Sequence, residues 1–329
     1  MEASRIAVVV PCHRARDHVL ATLAAVGPEV EAIYVVDDAC PEDTGAHVRA
    51  NCADPRVRVL RFERPLGRGA AIVRGYREAI GEEMDVLVKI EPDGRMDPAR
   101  IPSIVRPLVD GAADYAKGNR FFAVEDAAGV PRRTLWRNAA TSLAHRAATG
   151  YWDVSDPANG FTALHATVAK ALPLDRLARG DAFELDLLAR LGMLRAVVVD
   201  VPMPARMDPS RMPRAPRFPV FSRTLRRLAY AYFLRDMNAA TFFLAAGLAS
   251  LAGGLAGALV LWRHALARGT PVTAGSAMVA AVAVLAGLQG LIAAVQYEIG
   301  NVPRRPLHAH LVKRKEPDLS ATGWVRPGG

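Results

Sequence analysis

The chain has 329 residues and a formal net charge of +9, and 51% of its residues are hydrophobic. The charge is uneven, because residues 1–205 carry 26 Lys and Arg against 28 Asp and Glu, whereas residues 206–235 carry eight Arg against one Asp. A nucleic-acid-binding protein carries basic residues across its folded domain, so this distribution argues against a nucleic-acid partner. Three cysteines without paired metal-ligand spacing indicate reduced, cytosolic thiols.

Residues 1–205 alternate short β-rich runs with helical patterns. The β-rich runs are residues 6–10, 32–36, 56–61, 86–90, 115–117 and 196–201. The helical patterns between them are residues 16–26, 69–80, 101–109 and 183–191. This alternation predicts one large α/β domain with a mostly parallel sheet wrapped by helices.

Two pairs of acidic residues follow two of these predicted strands. Asp37 and Asp38 come after the run at 32–36, and Glu91 and Asp93 come after the run at 86–90. Ligands of open α/β sheets bind outside the carboxyl ends of the strands. Hard cations such as Mg²⁺ and Mn²⁺ prefer a few carboxylates together with phosphate oxygens. The pattern therefore favours a nucleotide diphosphate with a divalent metal over simple capping of the following helices.

A glycine turn precedes the predicted helix at 69–80. Gly67 and Gly69 flank Arg68, but the third glycine of a dinucleotide-binding motif would fall at Ile72, which argues against a dehydrogenase. Free N–H groups at a glycine-rich helix start favour an anion. We therefore expect a diphosphate to bind at this helix start.

A second candidate anion site lies on a predicted helix over residues 132–149. Arg133 and Arg137 would lie one turn apart on one face, with Asn138 beside them and an apolar side opposite. Guanidinium groups match the geometry of phosphate oxygens. We expect this face to bind a phosphate carried by a lipid, the alternative being an ordinary solvated charged face.

Two uncharged apolar runs of 24 residues each follow, at 239–262 and 274–297. At about 1.5 Å per residue, each helix would be about 36 Å long, enough to cross a hydrocarbon core of about 30 Å. These runs favour membrane spans over buried helices of a soluble protein. The basic segment before the spans and the basic residues after them predict that both chain ends are cytoplasmic.

Further motifs accompany the strand-end acids along the chain. They are residues 65–69 (PLGRG), 114–121 (DYAKGNRF), 150–152 (GYW), 156–161 (DPANGF) and 183–186 (FELD). Together with the strand-end acids, these motifs resemble those of family 2 glycosyltransferases of the GT-A fold. With its two C-terminal spans, the chain is similar to the polyprenyl-phosphate glycosyltransferases, the group that contains dolichyl-phosphate mannose synthase.

The resemblance implies inverting transfer of a sugar from a UDP- or GDP-linked donor to the phosphate of a polyprenyl lipid. The reaction would take place on the cytoplasmic face of the inner (plasma) membrane. The implied organisation is a GT-A domain over 1–205, a basic linker with an interfacial amphipathic helix over 206–238, a transmembrane hairpin over 239–297, and a basic cytoplasmic tail over 298–329. Gly253 and Gly257 would allow close helix packing within the hairpin or between copies, so a homo-oligomer stays open.

The resemblance also assigns roles to individual residues. Glu91 and Asp93 occupy the family's metal-binding Asp-x-Asp motif, which implies Mg²⁺ or Mn²⁺, and Arg120 would contact phosphate. The residues expected to act in catalysis are Asp93, Glu91, Asp156 and Arg120. Those expected to bind substrate are Pro11, Asp37, Asp38, Gly67, Arg68, Gly69, Arg133, Arg137, Asn138, Asn159, Glu184 and Asp186.

Two departures from the family pattern keep alternatives open. Family members usually carry Asp at the position of Glu91 and Gln at the position of Arg95, which leaves metal dependence and donor choice undecided. A glycan hydroxyl acceptor would need a general base such as Asp156, Glu184 or Asp186, whereas a phosphate acceptor is already an anionic nucleophile. The alternatives are a membrane glycosyltransferase acting on a glycan hydroxyl and a catalytically inactive, membrane-anchored subunit that binds nucleotide-sugar.

Overall fold

The computed structural model describes residues 4–120, 142–203 and 238–311, apart from residues 144, 147–148, 157–158 and 181. Of these, residues 4–203 and 303–311 belong to one compact unit and residues 238–302 to a second. Arg133, Arg137, Asn138, the predicted interfacial helix and the end of the predicted tail lie outside the described residues.

A seven-stranded sheet organises the described part of the first unit, in the order β3-β2-β1-β4-β6-β5-β7. Adjacent strands are parallel except β6, which runs antiparallel to both β4 and β5. This topology confirms the predicted α/β fold with a mostly parallel sheet. The strands are β1 (Ile6–Cys12), β2 (Ala32–Asp37), β3 (Val57–Arg61), β4 (Val86–Lys89), β5 (Tyr115–Asn119), β6 (Thr162–His165) and β7 (Val198–Pro202).

Helices cover the sheet and join its strands. They are α1 (Arg16–Ala24), α2 (Thr44–Asn51), α3 (Arg68–Gly81), α4 (Ile101–Val109), α5 (Ala166–Ala171) and α6 (Phe183–Leu194). Every residue of β1, β2 and β4 is buried, as expected for parallel strands covered on both faces. A Cβ at Gly75 would overlap the Val9 side chain, so α3 packs directly on β1. This close approach fixes the N-terminus of α3 next to the carboxyl end of β1.

Among the strands and helices named above, the sequence patterns miss three: α2, β6 and α5. Val48 is the only strongly apolar residue of α2 that is buried, so the helix has no apolar stripe to detect. Strand β6 has four residues and obtains its hydrogen bonds from β4 and β5, which are distant in the sequence. Short elements of this kind depend on tertiary pairing more than on their own composition.

Residues 303–311 follow the apolar helices in the sequence yet pack in the first unit. The backbone N–H groups of Leu307 and His308 donate to the Asp114 carboxylate at 2.7 and 2.8 Å, and His308 Nδ1 donates to it at 2.7 Å. The N–H of Val197 donates to the same carboxylate at 2.7 Å, and the His308 ring stacks on His165. The predicted tail over 298–329 therefore contains residues that belong to the folded domain.

The second unit holds two long apolar helices, α7 (Ala239–Arg268) and α8 (Ala274–Gly300), each long and apolar enough to cross a membrane. Small residues lie where the two helices meet. A Cβ at Gly287 would lie 2.5 Å from the Leu251 nitrogen, and one at Gly254 would lie 2.8 Å from the Val284 nitrogen. Large apolar side chains such as Phe242 and Val279 are exposed instead. Small residues inside and large apolar residues outside are typical of helices packed in lipid.

The glycine pair singled out in the sequence does not form this helix contact. A Cβ at Gly253 or at Gly257 would meet no atom within 4 Å. The close approach of α7 to α8 uses Gly247 and Gly254, each also in α7, which are seven residues apart. The sequence left open whether Gly253 and Gly257 allow packing within the hairpin or between copies. The packing of α7 on α8 within the hairpin does not involve them.

Replacing Asp114 by Ala should release residues 303–311 from the domain. Because the carboxylate is fully buried and accepts from several donors, its loss should lower the free energy of unfolding by about 3 kcal/mol or more. Chemical unfolding of the detergent-solubilised protein and hydrogen exchange at the amides of residues 307 and 308 would measure both effects.

The matched control is Asp110→Ala, which removes an exposed carboxylate that pairs with Arg106 at 3.3 Å on the surface of the same domain. Its effect should stay within about 0.5 kcal/mol. Unchanged exchange at residues 307 and 308 in the Asp114→Ala protein would contradict the assignment.

Candidate active site

A cleft opens where the carboxyl ends of β1, β2 and β4 meet the N-terminus of α3. Parallel pairing brings these strand ends together, with Cys12 level with Asp37 and Val9 level with Lys89. Two groups of acidic residues that are far apart in the sequence therefore line one cleft, as expected from their positions at strand ends. The lining residues are Pro11, Cys12, His13, Asp38, Arg68, Ala71, Glu91, Pro92 and Asp93.

The two neighbouring aspartates at the end of β2 have different positions. Asp38 lines the cleft, and its carboxylate accepts from the N–H groups of Leu66 and Gly67 at 2.7 and 2.9 Å. It therefore holds the turn that leads into α3. Asp37 is fully buried, and its two oxygens accept from the N–H groups of Cys40 and Gly45 at 2.7 and 2.6 Å. Asp37 thus shapes the loop between β2 and α2 from within the domain.

The glycine turn at the start of α3 packs against the backbone of residues 178–179. Gly67 adopts a φ of 98°, which a residue with a side chain rarely tolerates, and a Cβ at Gly69 would overlap the Ala178 carbonyl oxygen. The Gly69 N–H donates to the Arg179 carbonyl at 2.7 Å, and the Gly67 N–H donates to Asp38. The expectation of free N–H groups is wrong for both glycines, because protein oxygens already occupy them.

A closed ring of four charged side chains lies behind the cleft. Arg68 of α3 donates to Glu91 Oε1 at 2.5 Å and to Glu184 Oε2 at 2.8 Å. Lys89 of β4 donates to Glu184 Oε1 and lies 3.3 Å from Glu91 Oε1. Two cations thus match two carboxylates, and the ring ties the N-terminus of α3 and the end of β4 to the first turn of α6.

This ring keeps both glutamates ionised despite their burial. Burial raises the pKa of Glu91, but the charges of Lys89 and Arg68 outweigh it and lower that pKa to about 2. The same opposing effects leave the pKa of Glu184 below its ordinary value. Lys89 is 1% exposed, so its charge is screened little by solvent. The cleft therefore presents Glu91 as a fixed negative charge at all physiological pH values.

Asp93 is held by an arginine two residues further along the chain. The Arg95 backbone N–H donates to Asp93 Oδ1 at 3.1 Å, and Arg95 Nε donates to Asp93 Oδ2 at 2.6 Å. Arg95 Nη2 also contacts Asp93 Oδ2 and lies 3.7 Å from Glu91 Oε2. The arginine that departs from the family pattern thus contacts both candidate metal ligands.

A second buried ion pair joins Arg120 and Asp156. The guanidinium donates to the carboxylate through Nε at 2.7 Å and through Nη2 at 3.0 Å, a two-pronged geometry that fixes both side chains. Burial lowers the pKa of Arg120, but the hydrogen bond with Asp156 outweighs it and raises that pKa above its ordinary value. These two residues, predicted to act in catalysis, are therefore brought together as a pair.

Two other predicted substrate-binding residues hold neighbouring loops in place. Asn159 is buried; its side chain donates to the Gly118 carbonyl at 2.7 Å and accepts from the Phe161 N–H at 3.0 Å. Asp186 is also buried and accepts from the Ala178 N–H at 2.8 Å. Asp186 thereby positions the segment that contacts the glycine turn of α3.

Sequence reasoning did not single out Lys89 and Lys117, both of which are buried beside the predicted site. Lys117 donates to the Asn159 carbonyl oxygen, and burial lowers its pKa to about 8. The available signal was the placement of each lysine inside a predicted buried strand. A lysine is seldom fully buried unless it is paired, so each position indicates an acidic or carbonyl partner near the site.

Comparison with known proteins identifies the family of this chain. Residues 7–172 match glycosyl transferase family 2. The undecaprenyl-phosphate mannosyltransferase of Micrococcus luteus is 28% identical over 203 residues, covering 60% of this chain and 82% of that protein. The dolichol-phosphate mannosyltransferase of Pyrococcus furiosus is 26% identical over 52% of this chain, and the match spans 49% of that protein.

The chain also resembles a solved structure of glucosyl-3-phosphoglycerate synthase from Mycobacterium tuberculosis in complex with phosphoglyceric acid. The two are 21% identical, with a TM-score of 0.49, over 69% of this chain and 79% of that chain. The family match covers just over half of the chain and includes the end of β1, both acidic strand ends and the glycine turn. This chain belongs to glycosyl transferase family 2 and is a glycosyltransferase.

Proposed function

We propose that the chain transfers a sugar from a UDP- or GDP-linked donor to the phosphate of a polyprenyl lipid. The observation that carries this proposal is that each of the three carboxylates considered as a general base, Asp156, Glu184 and Asp186, is paired with a cation. The similarity to an undecaprenyl-phosphate mannosyltransferase and a dolichol-phosphate mannosyltransferase supports the same acceptor. The two helices long and apolar enough to cross a membrane would bring the domain to a lipid substrate.

The state of the acidic residues argues for phosphate over hydroxyl as the acceptor group. A hydroxyl acceptor needs a base, and the candidates were Asp156, Glu184 and Asp186. Asp156 is paired with Arg120, Glu184 with Lys89 and Arg68, and Asp186 lies 3.3 Å from Arg190. A carboxylate held by a cation is a poor proton acceptor. A phosphate monoester has a second pKa near 6, so it attacks as an anion and needs no general base.

The remaining problem of this reaction is the approach of two anions. The acceptor phosphate and the donor diphosphate repel each other unless cations lie between them. Arg68 lines the cleft, and Arg120 is oriented by Asp156. We propose that these two arginines counter the phosphate charges, and that Arg133, Arg137 and Asn138, which lie outside the described residues, guide the lipid phosphate.

The carboxylate pair fits a divalent cation, Mg²⁺ or Mn²⁺. The described residues contain no group of three or more His, Cys, Asp or Glu side chains that could hold a metal alone. Glu91 and Asp93 are hard oxygen ligands, and Mg²⁺ is commonly held by one or two carboxylates with substrate phosphates. These two residues would hold the cation. When bound, the cation would neutralise the charge of the leaving nucleoside diphosphate.

The other predicted residues would act by shaping the site. Asp38 holds the turn before α3, while Glu184 and Asp186 fix Arg68 and the 178–179 segment. We propose that Pro11 and Asp38 contact the nucleotide, with Asp37, Gly67 and Gly69 supporting the loops around it. Displacement in line at the anomeric carbon would invert its configuration.

The chain path supports a membrane arrangement. Residues 4–203 and residues 303–311 belong to one unit although the two apolar helices separate them in the sequence, so a chain that enters a bilayer with these helices would cross it an even number of times. Two apolar helices satisfy this requirement as a hairpin. We propose that the domain lies on the cytoplasmic side, because the basic segment at 206–235 precedes the first span.

Transfer can be tested with membranes, polyprenyl phosphate and separate radiolabelled UDP- and GDP-sugars. Label from one donor should enter the organic phase as a mild-acid-labile glycolipid. Asp93→Asn should reduce this transfer about 100-fold or more because it removes a charged ligand of the cation. Asp97→Asn, which alters a nearby carboxylate that caps a turn at Ala99, should keep transfer within about twofold.

Near wild-type transfer by Asp93→Asn at saturating metal would refute the role of Asp93. Label found only in a glycan linked through a hydroxyl would refute the phosphate acceptor.

Topology can be tested with single cysteines in intact cells, in a variant lacking Cys52. Thr270→Cys, in the loop between α7 and α8, should react with a membrane-impermeant maleimide, because the hairpin exposes this loop on the outer side. Glu63→Cys, at an exposed position of the domain, should react only after the cells are permeabilised. Labelling of Glu63→Cys in intact cells would place the domain outside and overturn the proposed orientation.

A further inference from the structure

The carboxylate pair at the end of β4 is already neutralised by cations of the protein itself. The Arg95 side chain contacts Asp93 Oδ2 and lies 3.7 Å from Glu91 Oε2, whereas its backbone N–H donates to Asp93 Oδ1. Arg68 and Lys89 contact the other oxygen of Glu91. Three of the four carboxylate oxygens therefore contact a cationic side chain. A divalent cation that approaches this pair is repelled by these three side chains.

The three cations differ in how firmly they are held. Lys89 is buried, and Arg68 is anchored by its second ion pair with the buried Glu184. The Arg95 side chain is 29% exposed and follows Gly94, whose φ of 74° turns the chain at the end of the strand. Arg95 can therefore change partners by rotating its side chain, whereas movement of Lys89 or Arg68 would break the ring behind the cleft.

We propose that Arg95 is an internal counter-ion that competes with the divalent cation for Asp93 until a diphosphate enters the cleft. The diphosphate offers Arg95 a new set of oxygens that suit its planar guanidinium group. The Arg95 side chain then leaves Asp93 Oδ2, which becomes available as a metal ligand. Cation and nucleotide should consequently bind with strong positive coupling. The inference rests on the proposed function for the cation site at Glu91 and Asp93 and for the diphosphate as part of a nucleotide.

Binding of Mn²⁺ to the purified full-length protein in detergent, followed by electron paramagnetic resonance of free Mn²⁺, tests this inference without measuring sugar transfer. Without nucleotide, Arg95→Gln should bind Mn²⁺ at least about tenfold more tightly than the wild type, because a charge that repels the cation at short range is gone. Addition of UDP or GDP, in separate experiments, should tighten Mn²⁺ binding far more in the wild type than in Arg95→Gln.

The matched control is Arg100→Gln, which removes the same charge from an exposed position beyond the carboxylate pair. It should bind Mn²⁺ as the wild type does. The double variant Asp93→Asn with Arg95→Gln should lose the gained affinity, which would locate the binding at Asp93. Arg95→Lys keeps the charge but not the two-pronged geometry, so its Mn²⁺ affinity should lie between those of the wild type and Arg95→Gln. This variant replaces Arg95→Gln in the test if the glutamine variant fails to fold.

Equal Mn²⁺ affinity in the wild type and Arg95→Gln would overturn the inference. An equal gain in Mn²⁺ affinity in Arg95→Gln and Arg100→Gln would also overturn it, because it would indicate a general effect of net charge. The absence of Mn²⁺ binding by every variant at millimolar concentration would overturn it as well. A protein that shows the expected Mn²⁺ coupling but transfers no sugar to polyprenyl phosphate would refute the proposed function alone.

Discussion

The closed ring of Arg68, Lys89, Glu91 and Glu184 is the interaction on which the site depends. Its members come from the start of α3, the end of β4 and the first turn of α6. Lys89 and Glu184 are buried, and neither could be buried alone without a large desolvation penalty. Removing one partner would leave an uncompensated charge next to the cleft. The ring therefore fixes the relative positions of three elements whose ends form the walls of the site.

The same ring supports the proposal that the cleft binds an anion together with a cation. Glu91 stays ionised because its neighbours lower its pKa, and Arg68 forms an ion pair with each of the two glutamates. Charges that are balanced before a ligand enters need less rearrangement when it does. A nucleotide diphosphate would exchange one set of ion pairs for another within a preformed cleft.

Much of the fold could be predicted from the sequence, because β1, β2 and β4 are continuous apolar runs followed by acidic residues. The convergence of Asp38, Glu91 and Asp93 also followed from the rule that parallel strands end at one edge of a sheet. The ring could not be predicted, since Lys89 and Glu184 are 95 residues apart in the sequence and their contact depends on the packing of α6. The occupied N–H groups of the glycine turn escaped prediction for the same reason, because Gly67 donates to Asp38 and Gly69 donates to the Arg179 carbonyl, both distant in the sequence.

The fixation of residues 307 and 308 by Asp114 has a consequence for biosynthesis. The domain lacks three of the donors for this buried carboxylate until the ribosome has made both apolar helices and the segment that follows them. Insertion of the helices would therefore begin while the domain is still unfinished, and these hydrogen bonds would form only after both helices have been made. In a nascent chain arrested within the helices, the buried Asp114 carboxylate would keep the Val197 N–H but lack these three donors, and the resulting loss of stability would favour proteolysis.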